Sequence, residues 1–193
     1  MKIDFKYLGL EFVESAAEYD QCLLHEKPEI AFVGASNAGK SSAINAISNQ
    51  KKLAKISKTP GKTKLFNFFR LSAGYIVDFP GYGYSKVSKS QKKEWAVELP
   101  KYFDSREALV GAILFTDIRN PMREHDISMF EMLHARQIPV LIVLTKSDKV
   151  AEKEALEIKN TLQDAYGFVL NFSIKDRESI GSLISLINEL LSN

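Results

Sequence analysis

Gly34-Ala35-Ser36-Asn37-Ala38-Gly39-Lys40-Ser41 is the stretch that most constrains this chain. It has the form G-x-x-x-x-G-K-S, a phosphate-binding loop. Its flanks suit the motif. Glu29-Ile30-Ala31-Phe32-Val33 is apolar and reads as a strand, and Ser42-Ala43-Ile44-Asn45-Ala46-Ile47 carries apolar residues at helical spacing. Strand, glycine loop and helix start together make an anion cradle. Gly34 and Gly39 allow the backbone to curl so that successive N–H groups point inward. The helix N-terminus adds partial positive charge. Lys40 can reach the β- and γ-phosphates of a nucleotide, and the Ser41 hydroxyl can ligate Mg2+.

The rest of the chain alternates strands and helices. Leu65–Leu71 and Tyr75–Val77 read as strands around a turn at Gly74, close enough in sequence for an antiparallel hairpin. Residues 110–116 and 139–144 are nearly continuous apolar runs, the pattern of parallel strands covered on both faces. Residues 168–172 form the last strand. Helical spacing covers 92–103, 124–136, 151–165 and 180–191. Residues 2–14 suit a strand or an arm laid on the sheet, and 15–27 a short helix or loop. The expectation is an α/β phosphate-loop NTPase fold: a mostly parallel sheet with one antiparallel hairpin strand and helices on both faces. The 193 residues are read as one domain, 1–193, with 1–27 as an N-terminal extension packed on it.

Two further motifs fall beyond strand ends. Asp78-Phe79-Pro80-Gly81 follows an apolar strand. The Asp can hold Mg2+ through water, and the glycine N–H can face a γ-phosphate. Thr145-Lys146-Ser147-Asp148 has the form [N/T]-K-x-D. One carboxylate can accept from both the N1–H and the exocyclic amine of guanine, whereas adenine would leave a buried Asp148 unpaired. Such a site discriminates strongly, because an unpaired buried charge is costly. The stem of Lys146 can lie against the base. Lys40→Ala is expected to weaken nucleotide binding without unfolding the chain.

Charge is distributed unevenly, although the formal net charge is only +2. Lys51, Lys52, Lys55, Lys58, Lys62 and Lys64 form one acid-free cluster, and Lys86, Lys89, Lys92 and Lys93 form another. Both flank the nucleotide motifs and suit a surface for RNA phosphates. The lone Cys22 cannot form an internal disulfide and reads as a small buried residue in a reducing, cytoplasmic setting. No apolar run reaches the roughly 18 residues of a spanning helix, so no membrane partner is expected. Trp95 reads as core. His25, His125 and His134 stand apart from every motif in the sequence.

Taken together, these residues resemble the EngB/YihA/YsxC family of bacterial ribosome-assembly GTPases, in the translation-factor class. The resemblance rests on the phosphate loop, Lys58-Thr59-Pro60-Gly61-Lys62-Thr63, Asn67-Phe68, Asp78-Phe79-Pro80-Gly81-Tyr82-Gly83-Tyr84, Lys86-Val87-Ser88-Lys89 and Thr145-Lys146-Ser147-Asp148. It implies GTP and GDP as ligands and slow GTP hydrolysis. It implies Mg2+ held by Ser41, Thr63 and, through water, Asp78. Gly61, Lys62, Thr63, Lys64 and Leu65 would line the nucleotide, and Phe172, Ser173 and Ile174 would touch guanine from the far side. Ile174 stands where the family has a small residue, and Ala35 where it often has Arg. Tyr82 occupies the position of a water-orienting Gln in related enzymes, and Asn37 a position that helps hold K+. Lys40, Thr63, Gly81 and Asn37 are the residues implied for catalysis. The partner implied is the large ribosomal subunit, met through Lys51–Lys64 and Lys86–Lys93 by a monomer, with a role in cell division and septation.

Overall fold

The computed structural model describes residues 5–56, 66–83 and 89–192. Residues 59–63, whose proline and glycine read as a loop, lie outside them. Among the described residues, seven strands form one sheet: β1 (Glu11–Ala16), β2 (Glu29–Gly34), β3 (Phe66–Leu71), β4 (Gly74–Asp78), β5 (Leu109–Asp117), β6 (Val140–Thr145) and β7 (Val169–Phe172). Their order across the sheet is β1-β3-β4-β2-β5-β6-β7. The expected hairpin is present, with β3 antiparallel to β4 and Asn67 opposite Asp78. From β4 onward every neighbour is parallel.

The N-terminal stretch contributes more order than its mixed pattern suggests. β1 pairs antiparallel with β3, Ala16 opposite Phe66, with an irregularity between Phe12 and Glu14. It is an edge strand with only Ala16 fully buried, so its apolar signal is weak. A single 3-10 turn at Tyr19–Gln21 follows. Cys22 is buried, and burial pushes its thiol up to about 12.

Two apolar layers sandwich the sheet, and strand alternation assigns residues to each. Ile30, Phe32, Ile113, Phe115 and Val143 face α1 (Lys40–Ser48), α2 (Leu53–Ile56) and α6 (Arg177–Ser192). Ala31, Val33, Leu114, Ile142 and Leu144 face α3 (Lys89–Ser105), α4 (Glu124–His134) and α5 (Glu152–Tyr166). The helix α2 arises where sequence reading placed only a change in composition. Trp95 packs partly buried on the α3 side, as its place on an apolar stripe suggested.

At the pole away from the motifs, buried Glu29 opens β2. It accepts from Tyr102 Oη (2.5 Å) and from Arg106 Nε (2.8 Å) and Nη2 (2.5 Å), and pairs with His25 Nε2 at 2.8 Å. A buried carboxylate with this many charged and neutral donors is fully compensated. The arrangement fixes the start of the central strand. The strand then delivers the glycine loop at its other end.

Candidate nucleotide site

All the motifs emerge at the C-terminal ends of parallel strands, where open α/β sheets gather ligands. The phosphate loop follows β2. Asp78-Phe79-Pro80-Gly81 follows β4, Thr145-Lys146-Ser147-Asp148 follows β6, and Ser173-Ile174 follows β7. A cavity of about 450 Å3 lies over the glycine loop, lined by residues 35–42, Gly81 and Lys146. A smaller cavity of about 140 Å3 lies beside it, lined among others by Gly39, Thr145, Lys146, Asp148, Phe172 and Ile174. Gly39 and Lys146 border both. Their linings differ, a basin over the polar glycine loop and a smaller slot walled by Phe172 and Ile174.

The loop geometry follows from its residues. Gly39 has φ +93° and caps α1. A Cβ there would meet the Thr145 side chain at 3.2–3.3 Å, so only glycine lets the loop turn this close to β6. Thr145 Oγ1 donates to Ala38 O at 2.6 Å and ties the two motifs together. Asn37 takes a left-handed conformation (φ +67°), and its carbonyl accepts from Lys146 Nζ at 2.9 Å. Ser41 lies in the first turn of α1.

Lys40 corrects one expectation. Its side chain is buried and ion-paired with the equally buried Asp78. Its Nζ also donates to Phe79 O at 2.6 Å. Removing Lys40 would strand a buried carboxylate, so Lys40→Ala costs fold stability as well as ligand contacts.

Asp148 is also placed differently from expectation. Its carboxylate stands partly exposed beside the smaller slot. Ser173 Oγ donates to Oδ1 at 2.8 Å, and Lys175 Nζ lies 3.0 Å from Oδ2. The hydrogen bond from Ser173, then Lys175, hold its carboxyl below the usual carboxylate range. Thus Asp148 is a fixed anion at neutral pH. Phe172 is buried in the slot wall, and Ile174 is half exposed at its lip.

Sequence reasoning missed several members. Asp117, at the end of β5, accepts from Lys146 Nζ at 2.7 Å. It also accepts from Arg119 Nη2 (2.6 Å), Nε (2.9 Å) and backbone N (3.1 Å). Arg119 above all, then Lys146, holds the Asp117 carboxyl far below its ordinary range. An Asp at the end of a buried strand was the available signal, the same one used for Asp78. Asp126 and Tyr82 form a second unforeseen pair, with Tyr82 Oη donating to Asp126 Oδ1 at 2.7 Å. His125 is not apart from the motifs after all: its ring lies 6.5 Å from that of Tyr82.

Of the residues expected at the site, the structure gathers Gly34, Ala35, Ser36, Asn37, Ala38, Gly39, Lys40, Ser41, Asp78, Phe79, Pro80, Gly81, Thr145, Lys146, Ser147, Asp148, Phe172, Ser173 and Ile174 at this end of the sheet. Gly61, Lys62, Thr63, Lys64 and Leu65 lie outside the described residues. Of the two lysine clusters, Lys51, Lys52 and Lys93 are exposed; Lys58, Lys62, Lys64 and Lys86 lie outside the described residues. Mg2+ fits the donors present: a serine hydroxyl opening α1 and a buried carboxylate at the end of β4 are hard oxygen ligands beside a phosphate cradle.

Comparison with known proteins gives a consistent result. A family model described as "50S ribosome-binding GTPase" matches residues 29–146. A probable GTP-binding protein EngB from Coxiella burnetii is 40% identical over 194 residues, covering 97% of this chain and 95% of the relative. Its counterpart from Photorhabdus laumondii is 46% identical over 160 residues, covering 82% and 76%. A crystal structure of a probable GTP-binding protein engB superposes with a TM-score of 0.70 at 22% identity, over 85% of this chain and 98% of that one, a likeness of fold.

Proposed function

The chain belongs to the EngB family of GTP-binding proteins, and from that premise we propose that it is a cytoplasmic GTPase switch in assembly of the large ribosomal subunit. In this reading residues 1–193 act as one guanine-nucleotide domain, with 1–27 as its extension. The observation that carries it is the joining of phosphate basin and base slot through Lys146 and Gly39, with Asp148 fixed as an anion at the slot.

Each step assigns work to the chain's own groups. The N–H groups of residues 36–41 hold the phosphates, and Lys40 exchanges Asp78 and Phe79 O for phosphate oxygens. Asp148 accepts from the guanine edge, and Phe172, Ser173 and Ile174 close the slot. Ser41, Thr63 and Asp78 would hold Mg2+, whose charge offsets that developing on the transferred phosphoryl group. Tyr82 stands where a water-orienting Gln would act, and its hydroxyl is committed to Asp126. That supports slow intrinsic hydrolysis, to be raised by a partner or by K+ near Asn37. Equal turnover in sodium and potassium buffers, with and without large subunits, would remove the K+ role.

The ribosomal partner is supported by the two lysine clusters beside the nucleotide loops and by the description of the matching family. A role in cell division and septation would follow from failed subunit assembly. The test is co-sedimentation with purified large ribosomal subunits, with a non-hydrolysable GTP analogue or with GDP, at two salt concentrations. Association with the analogue alone, falling steeply with salt, is expected. No association with either nucleotide would leave a GTPase that signals to another partner.

A further inference from the structure

The main chain of residues 79–82 accepts hydrogen bonds from the phosphate loop itself. Ser36 N donates to Tyr82 O at 2.8 Å, and Ser36 Oγ to Gly81 O at 3.1 Å. Ala35 and Tyr82 form a parallel bridge outside the named strands. The approach is close enough that a Cβ on Gly81 would sit 3.0 Å from Ser36 N and Cα. Lys40 is engaged by Asp78 and Phe79 O in the same segment. The strap therefore lies over the outer lip of the phosphate loop.

What anchors the strap lies outside the nucleotide motifs. Tyr82 Oη reaches Asp126 Oδ1 in the first turn of α4. Asp126 is only 2% exposed. Its Oδ2 accepts from Thr116 Oγ1 at 2.9 Å and from Arg123 N at 3.3 Å, and Thr116 Oγ1 accepts from Met122 N at 3.1 Å. One carboxylate oxygen is thus satisfied by the scaffold of β5 and α4, and the other receives the tyrosine. Lifting Tyr82 away deprives a buried charged group of a hydrogen bond, which is costly. Burial and Asp126 both push the phenol up, so it stays a donor at any working pH.

We propose that Tyr82 and Asp126 form a latch that holds the Gly81–Tyr82 main chain on Ser36, and so sets the preference between nucleoside di- and triphosphates. This rests on the guanine-nucleotide reading above. Inner N–H groups of such loops cradle the α- and β-phosphates, which a diphosphate and a triphosphate share. A third phosphate extends toward the segment after β4 and must displace the strap from Ser36. The latch energy is then charged to the triphosphate alone. Tyr82 and Asp126 are positioning residues, acting through the main chain of Gly81 and Tyr82.

The test is a pair of equilibrium titrations, with fluorescent GDP and a fluorescent non-hydrolysable GTP analogue, on wild type, Tyr82→Phe, Asp126→Asn and the double variant. Tyr82→Phe keeps the ring and removes the donor. It should tighten the analogue relative to GDP by about tenfold, equivalent to about 1.4 kcal/mol. Asp126→Asn should shift the ratio in the same direction but less, since its carbonyl keeps the donors of Thr116 and Arg123 and its amide N–H can still donate to the Tyr82 hydroxyl oxygen. The double variant should add little to Tyr82→Phe, as expected for two ends of one bond. Should Tyr82→Phe fail to fold, Asp126→Asn alone decides by its ratio. Equal changes in both affinities, or an unchanged ratio, would overturn the latch while leaving guanine-nucleotide binding intact. A wild type that binds neither nucleotide would overturn both readings.

Discussion

Asp117→Asn isolates a contact that joins the two halves of the site. Lys146 Nζ is held between Asn37 O (2.9 Å) and Asp117 Oδ2 (2.7 Å), and Asp117 is clamped from behind by Arg119. Asparagine keeps the size but removes the charge, and it turns an amide toward one of its two cationic neighbours. A hydrogen bond between charged partners contributes about 1.5–3 kcal/mol. The side chains of Asp117 and Lys146 are 19% and 32% exposed, so solvent screening favours the low end of that range. A loss of about 1.5 kcal/mol corresponds to roughly tenfold in affinity. Because Lys146 borders both the phosphate basin and the base slot, GDP and GTP should weaken alike, unlike the effect of the Tyr82 latch. The loss should appear as faster dissociation, measured by stopped-flow chase of a fluorescent GDP. Arg119→Ala should act in the same direction but less, since Lys146 keeps its carboxylate. Unchanged dissociation in Asp117→Asn, with Lys146→Ala strongly impaired, would show that Lys146 needs no help from Asp117.

Asp148→Asn exchanges an acceptor for a donor at the guanine edge. GTP affinity should fall by about 100-fold or more while xanthine nucleotides gain, as competition titrations would reveal. Retained GTP affinity would mean that the base slot is elsewhere. Lys40→Ala should weaken nucleotide binding and also lower unfolding free energy by about 3–5 kcal/mol, because Asp78 is left buried and uncompensated. Denaturant midpoints for Lys40→Ala and for Lys40→Met combined with Asp78→Asn check this; the double variant should recover most of the stability. The depressed Asp117 carboxyl gives a signed pH effect. Its stabilisation is present above the unfolded-state value of about 3.9 and is lost as pH falls toward the lower folded value. Thermal melting should therefore drop less between about pH 5 and pH 3 in Asp117→Asn than in wild type.

The parallel strands were legible because burial on both faces leaves continuous apolar runs, as in Ile30–Val33 and Leu141–Leu144. The phosphate loop, Asp78-Phe79-Pro80-Gly81 and Thr145-Lys146-Ser147-Asp148 were legible because each fixes residue type at fixed spacing. The strand β1 was blurred by its edge position, and α2 by its four-residue length. Contacts made between elements distant in sequence left no local trace. Tyr82 and Asp126 lie 44 residues apart, and Asp117 and Lys146 lie 29 apart. Neither pair has a spacing rule. What joins them is the strand order, which carries the ends of β4, β5 and β6 to one edge. Likewise Lys40 could be identified as a phosphate ligand from its motif, but its partner in Asp78 depends on β2 and β4 being parallel neighbours. Main-chain acceptors such as Gly81 O and Tyr82 O are hidden from any reading of side chains.

The most direct measurement is competition for a fluorescent GDP bound to the purified chain in the presence of Mg2+. Unlabelled GDP and GTP should displace it at stoichiometric saturation, and ADP and ATP should not, because adenine offers no paired donors to Asp148. Equal displacement by adenine nucleotides, or no saturable binding of GDP at all, would contradict the assignment of this site to guanine nucleotides.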